Sequence, residues 1–65
     1  MVKKLYKGIF VLNRETFIEY VYAYTVNQAK NIIIRRIARK HGVIPIIVFG
    51  YFKDHPGSYI VKEEK

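Results

Sequence analysis

The stretch from Thr25 to Gly42 constrains the fold of this chain most, because it carries the only long helical pattern in the sequence. Thr25 is a favourable N-cap residue, and Gln28, three positions later, completes a capping box. Gly42 suits the left-handed conformation just past a helix C-terminus, and Pro45 prevents the helix from continuing. These signals predict one helix that begins after Thr25 and ends before Gly42.

One side of this helix is apolar and the other is polar. Residues three and four positions apart share a helix face. The predicted buried face comprises Val26, Ala29, Ile33 and Ile37, widened by Ile32, Ile34 and Ala38. The predicted exposed side comprises Asn27, Gln28, Asn31, Arg35 and Arg39. A strand over residues 31–37 is the alternative, since β-branched residues disfavour helices, but the caps and the longer periodicity favour the helix.

The segments on either side of the helix have the composition and alternation of β-strands. The predicted strands are Lys4 to Leu12, Thr16 to Tyr24, Ile46 to Lys53 and Ser58 to Lys62. A polar turn over residues 13–15 joins the first two as a hairpin, and a type II turn at Pro56-Gly57 joins the last two. We therefore predict a single α+β domain over residues 1–65. Its order is β-β-α-β-β, a four-stranded, mainly antiparallel sheet with one helix packed on one face.

One helix covers only one face of such a sheet. The predicted inward residues are Tyr6, Gly8, Phe10, Leu12, Phe17, Val21 and Ala23. Gly8 lets the helix approach closely, and Glu19 must lie at the rim of this face. The opposite face would expose Ile9, Val11, Ile18, Tyr20, Tyr22 and Tyr24, with Phe49 and Tyr51 from the third strand. Such a patch exceeds what monomers usually expose, so we expect a partner to cover it.

Size and composition narrow the classes of function. A chain of 65 residues buries only about 60% of its unfolded surface. The absence of cysteine excludes disulfides and thiolate metal sites. No apolar run reaches the ~18 residues of a membrane helix, and lysines at positions 3, 4 and 7 interrupt any signal-peptide core. We expect a cytoplasmic protein without a membrane partner.

The net charge of +7 favours a polyanion partner, and we expect RNA, with DNA as the alternative. The candidate nucleic-acid-binding residues are Lys7, Lys30, Arg35, Arg36, Arg39, Lys40 and His41. Arginine forks match phosphate oxygens. The same charge also has two purely structural interpretations: cations near a helix C-terminus interact favourably with its dipole, and a basic surface keeps a small protein in solution.

The tyrosines of the outward face form a second candidate site. Tyr20, Tyr22, Tyr24 and Tyr51 are predicted to share that face. Bases stack on aromatic rings for ~1–3 kcal/mol each, which suits a nucleic-acid platform. Tyrosine is also enriched in protein interfaces, which suits a homodimer or another protein neighbour. Ordinary β-propensity would equally account for tyrosine at these positions.

No group of residues suggests catalysis. His41, His55 and Asp54 are too few and too far apart for a convincing metal site. Ser58 lies too close to His55 and Asp54 in sequence to imply a triad, and no glycine-rich phosphate loop follows a strand. We expect no enzyme activity, no cofactor and no metal.

Several segments together resemble the archaeal large-subunit ribosomal protein LX family. They are the first strand with Lys7-Gly8, Phe17 leading into Glu19-Tyr20-Val21-Tyr22-Ala23, the helix, Lys40-His41-Gly42-Val43 and the predicted third strand. The similarity covers roughly residues 5–52. It implies a small β-β-α-β-β-type domain with a basic surface that binds ribosomal RNA. It also implies RNA contacts through Lys7, Arg35, Arg36, Arg39, Lys40 and His41.

Two hypotheses follow. The first is a small basic RNA-binding protein, a candidate ribosomal component, whose helix end neutralises phosphates while the sheet face packs on RNA or a protein neighbour. The second is a homodimeric interaction module of viral, phage or mobile-element origin without catalytic activity. Salt separates them, because phosphate contacts weaken as salt rises and a hydrophobic dimer holds.

Overall fold

The first two strands form the hairpin that the sequence predicts. In the computed structural model, which describes residues 2–64, β1 spans Lys4–Leu12 and β2 spans Glu15–Ala23. The two strands pair antiparallel from Lys4 opposite Ala23 to Leu12 opposite Glu15. The two turn residues, Asn13 (φ 51°) and Arg14 (φ 68°), are both left-handed, as in the tight turns that match the twist of a hairpin.

Helix α1 and both of its predicted caps are confirmed. α1 spans Val26–His41. At its N-terminus, the Thr25 hydroxyl accepts a hydrogen bond from the Gln28 amide at 3.1 Å. At its C-terminus, Gly42 takes the left-handed conformation (φ 67°), and its amide and the next one donate to carbonyls of the last helical turn. The backbone groups at the two ends of α1 thus find hydrogen-bond partners at the predicted cap residues, Thr25 and Gly42.

The buried face of α1 matches the prediction except at Val26 and at Ile32, which is only half-buried. The buried residues are Ala29, Ile33, Ile34, Ile37 and Ala38. Val26, which we predicted to be buried, is 49% exposed. It occupies the first turn of α1, directly after the short connection from β2, where the helix has not yet reached the packed core. The apolar contact of α1 therefore begins one turn later than the periodicity suggests.

Gly8 brings α1 close to the sheet, as predicted. A Cβ atom at this position would overlap Cδ1 of Ile33 and the ring of Phe10. Both of those side chains are completely buried, so neither can move into open space. The absent side chain at Gly8 therefore sets how closely α1 lies on β1.

The predicted third strand over Ile46 to Lys53 is wrong, because these residues form part of helix α2, which spans Pro45–Asp54. Val48 and Phe52, four residues apart, are its buried side chains. The segment is apolar at nearly every position, so its pattern fits a strand and a helix equally well. Core packing selects the helix, because the ring of Phe52 meets that of Phe10 edge-on, with centroids 5.0 Å apart.

Within residues 2–64, no helix is long and apolar enough to cross a membrane.

The predicted type II turn is wrong, whereas the predicted last strand, Ser58 to Lys62, is confirmed with a shift of one residue. Residues Pro56–Ser58 form a 3-10 turn, and β3 spans Tyr59–Glu63. β3 pairs antiparallel with β1, from Phe10 opposite Tyr59 to Tyr6 opposite Glu63. Within residues 2–64 the fold is thus α+β, with a three-stranded antiparallel sheet of order β2-β1-β3 and two helices.

Both helices pack on one face of this sheet, around the ring of Phe10. Phe10 is fully buried, and Tyr59 stacks on it with ring centroids 5.3 Å apart. The inward residues of β1 and β2 are buried as predicted, and the core contains no buried polar side chain among the described residues. The opposite sheet face has no cover from residues 2–64.

We expect Gly8→Ala to lower the free energy of unfolding by roughly 1–3 kcal/mol, because the new methyl group overpacks a core that cannot yield. Urea denaturation monitored by tyrosine fluorescence measures the loss. Gly50→Ala is the matched control, since a Cβ there meets nothing within 4 Å. That control should gain roughly 0.5–1 kcal/mol from the better helix propensity of alanine. Equal effects at both glycines would contradict the close approach of α1.

Candidate nucleic-acid interface

The outer stripe of α1 gathers three arginines around one shallow depression. Arg35, Arg36 and Arg39 surround Ile32 there, in a depression of about 290 Å³ whose lining includes no acidic side chain. The helical repeat places these four residues on neighbouring rows of the surface. We call them the arginine surface. Each guanidinium offers a planar set of donors that fits phosphate oxygens.

Glu19 neutralises one border of this region. Its carboxylate lies 3.4 Å from Nη1 of Arg36 and 3.1 Å from Nζ of Lys40. The side chain of Glu19 is only 18% exposed, which confirms that it lies at the rim of the inward face. Within residues 2–64, Arg35 and Arg39 have no acidic partner. On the arginine surface, the unneutralised cations are therefore Arg35 and Arg39.

The other predicted phosphate-binding residues lie apart from the arginine surface. Lys30 points to the β3 side, with Nζ 5.1 Å from the ring centroid of Tyr59. The His41 ring packs edge-on against Phe17 at 5.3 Å. Lys7 lies on the uncovered side of the sheet, opposite the helices. The predicted set thus divides among different surfaces, of which only one gathers several arginines.

The uncovered side of the sheet carries cross-strand rows of side chains, and we call it the open sheet face. One row is apolar: Ile18, Ile9 and Ile60 stand side by side across β2, β1 and β3. The adjacent row is Tyr20, Lys7 and Lys62. Within that row, Nζ of Lys7 lies 5.8 Å from the ring centroid of Tyr20, within reach of a cation–π contact.

Two of the four predicted tyrosines lie on the open sheet face, as expected. Tyr20 and Tyr22 are both exposed there. Tyr24 lies just beyond the end of β2, with Nζ of Lys3 5.6 Å from its ring centroid. The placement of Tyr51 on this face is wrong, because its segment is helix α2 and not a strand. Its ring stacks on His55 at 4.3 Å, on the side of the sheet that the helices cover.

The arginine surface and the open sheet face lie on opposite sides of the molecule. α1 covers the inward face of the sheet, so its outer stripe points away from Tyr20 and Tyr22. The edge of β2 separates them, and there Nη1 of Arg36 donates to the backbone carbonyl of Tyr20 at 3.4 Å. A ligand that touches both surfaces must pass around this edge.

The histidines have structural neighbours. Nδ1 of His55 lies 2.8 Å from the carbonyl oxygen of Tyr51, a hydrogen bond that caps the end of α2. His41 stands in the last turn of α1, where a positive charge would interact favourably with the helix dipole. Residues 2–64 contain no group of three or more His, Cys, Asp or Glu side chains that could hold a metal ion.

Comparisons of the chain with protein-family models, with curated proteins and with solved structures find no match. Geometry and charge therefore carry the functional argument.

Sequence reasoning missed Ile60 and Lys62 on the open sheet face, and Lys53 on α2. The pattern predicts a final strand but not its pairing with β1, and this pairing completes both rows. Lys53 falls at the end of a predicted strand that is in fact helical. The signal that could have placed it is the four-residue spacing of Phe49 and Lys53, which puts them on one side of a helix.

Glu19→Gln should tighten RNA binding by roughly 3- to 10-fold at low salt, because it frees Arg36 and Lys40 to reach phosphates. Fluorescence anisotropy with a labelled single-stranded RNA measures the change. Glu15→Gln is the matched control, since it also raises the net charge from +7 to +8 and lies exposed at the hairpin turn. Equal tightening by both variants would show that net charge alone decides, which contradicts a local role for Glu19.

Proposed function

We propose that this protein binds RNA and that the arginine surface of α1 holds the phosphates. The observation that carries the proposal is the gathering of Arg35, Arg36 and Arg39 around one depression with no acidic side chain in its lining. Guanidinium groups in such an array can each pair with successive phosphate oxygens. The half-buried side chain of Ile32 lines the depression together with them.

The helix dipole explains only part of this charge. Arg39, Lys40 and His41 lie in the last turn of α1, where cations are favourable. Arg35 lies before that turn and stands one helical turn from Arg39. Like charges at this spacing disfavour a helix by roughly 0.2–0.5 kcal/mol. Since the fold gains nothing from this repulsion, an external polyanion that relieves it is the simplest reason for the pair.

The arginine surface recognises phosphate, which RNA and DNA share. The resemblance to a ribosomal protein family selects RNA as the class that we propose, with DNA as the alternative. The proposed role is binding without catalysis.

The double variant Arg35→Gln/Arg39→Gln should weaken RNA binding and lower the slope of log affinity against log salt by roughly 1.4, at ~0.7 per phosphate contact on a single strand. Glutamine is nearly as good a helix former as arginine, so α1 should persist. Anisotropy titrations from low to high salt, with RNA and DNA of one sequence, measure both effects.

The matched control is Lys7→Gln/Lys62→Gln, which also lowers the net charge from +7 to +5 but acts on the open sheet face. If the arginine surface binds the RNA, the slope of log affinity against log salt for this control should stay within about 0.5 of the wild-type slope. A loss of RNA affinity confined to this control would instead place the nucleic acid on the open sheet face, at Tyr20 and Tyr22.

The open sheet face supports a second candidate function, self-association. The row of Ile18, Ile9 and Ile60 forms an apolar band across all strands of the sheet, and no other element covers it within residues 2–64. Two copies packed face to face would bury this band against itself. Such a contact leaves both arginine surfaces free, so self-association and RNA binding are compatible.

Ile18→Gln/Ile60→Gln should shift any dimer to monomer at equal folding stability, because these side chains are 55% and 50% exposed in the monomer. Light scattering after size exclusion, at low and high salt, measures the mass, and a hydrophobic dimer should persist in high salt. The matched control is Ile46→Gln/Ile47→Gln on α2, with exposures of 72% and 58%. Dissociation caused by the control alone would place the interface on α2.

A further inference from the structure

A cleft on the far side of α1 from Glu19 lies between α1, α2 and β3. Its volume is about 580 Å³, within the range of small-molecule sites. Its lining is mainly apolar and aromatic, with Phe49 and Tyr59 among the walls, and it carries two cations, Lys30 and Lys53. No acidic side chain lines it. We call it the lysine cleft.

Gly50 lies in this lining, and neither packing nor backbone geometry requires a glycine there. It stands inside helix α2, and a Cβ atom on it would meet nothing within 4 Å. Its φ is not among the positive values of the chain. A glycine inside a helix costs roughly 0.5–1 kcal/mol relative to alanine. Since nothing in the fold needs this cost, the open space itself is the feature that Gly50 provides.

The charge of the lysine cleft selects the chemistry of an occupant. Nζ of Lys30 lies 5.1 Å from the ring centroid of Tyr59, so one cation lies beside an aromatic wall. Two ammonium groups with no acidic side chain in the same lining favour an anion, and lysine is a common phosphate ligand. The aromatic and apolar walls favour a planar body that can stack.

We propose that the lysine cleft binds a phosphate monoester with a planar ring, of mononucleotide size. The ring lies over Gly50 against Phe49 and Tyr59, and the phosphate pairs with Lys30 and Lys53. The lysine cleft lies on a different flank of α1 from the arginine surface. Binding of a monophosphate in the cleft does not require that RNA bind to the arginine surface.

The test is a titration of ¹⁵N-labelled protein with adenosine monophosphate, followed by the amide shifts of Gly50, Lys53 and Tyr59. Adenosine alone and inorganic phosphate alone are the two partial probes. We expect saturable shifts with the monophosphate and at least tenfold weaker binding of either partial probe. Equally strong shifts with phosphate alone would overturn the ring contact.

Gly50→Leu is the decisive variant, because the leucine side chain would occupy the lysine cleft. Leucine favours helix over glycine and enters open space, so the fold should be retained or stabilised. Binding of the monophosphate should fall at least tenfold, and the matched Gly50→Ala variant should lose much less. Lys53→Gln should weaken the binding of adenosine monophosphate and leave the binding of adenosine unchanged.

Three results would overturn this proposal. The first is the absence of saturable shifts at these amides. The second is binding that survives Gly50→Leu and is lost in Arg35→Gln/Arg39→Gln, which would assign the phosphate to the arginine surface. The third is a changed mass of Gly50→Leu in light scattering, which would assign this side of α2 to a protein contact. Failure of RNA binding alone leaves the cleft proposal standing, so the two proposals fail separately.

Discussion

The contact between Gly8 and Ile33 sets the arrangement of the rest of the molecule. Because Gly8 has no side chain, α1 lies close to the central strand β1. The apolar side of α1 is therefore buried in the core. Its charged stripe must then face outward. The space that remains on the same sheet face is filled by α2, whose Phe52 closes on the Phe10 ring. One close contact thus fixes which side of the protein carries the arginines of α1.

A consequence of placing both helices on one face is that the arginines of α1 and the exposed tyrosines of the sheet lie apart. The sequence suggests that a basic helix end and a tyrosine row cooperate on a single ligand. The structure places them on opposite sides, with Glu19 and the edge of β2 between them. A strand of nucleic acid long enough to use both must bend around this edge. Two separate contacts, one for phosphate and one for apolar surface, fit the geometry with less distortion of a ligand.

The parts of the fold that were predictable are those that caps, a turn or a polar side mark in the sequence. α1 has a cap at each end and one polar side, so periodicity fixes both its type and its orientation. β1 and β2 are largely apolar on both sides, so their composition and the polar turn between them predict the hairpin, and Lys7 indicates which side of β1 faces outward. The segment 46–53 has no polar side, and its β-branched and aromatic residues favour a strand. The better signal is Pro45, which suits the first turn of a new helix as well as it ends an old one. Tertiary packing decides between them, since Val48 and Phe52 meet the core only at helical spacing.

The candidate site was predictable to a similar degree and for similar reasons. Arg35 and Arg39 lie together because four residues make about one helical turn. Lys30 is grouped with them by sequence alone, although it stands six positions before Arg36 and about 120° away from it around the helix axis. That rotation carries Lys30 to the β3 side and into the lysine cleft with Lys53. The pairing of Lys30 with Lys53 joins two helices, and no pattern along the chain encodes such a distance.

Helix α2 differs from the rest of the fold in leaving apolar surface unused. A helix that is apolar on all sides is normally buried, yet Ile46 and Ile47 are exposed, and Gly50 leaves open space one turn after Ile46. Small domains have only roughly 0.05–0.15 kcal/mol of stability per residue, so a cost near 1 kcal/mol at Gly50 is a considerable fraction of the total. A chain without disulfides has few means to offset it. Ile46 and Gly50 both line the lysine cleft, which is why we assign a ligand to that place rather than a defect to the packing.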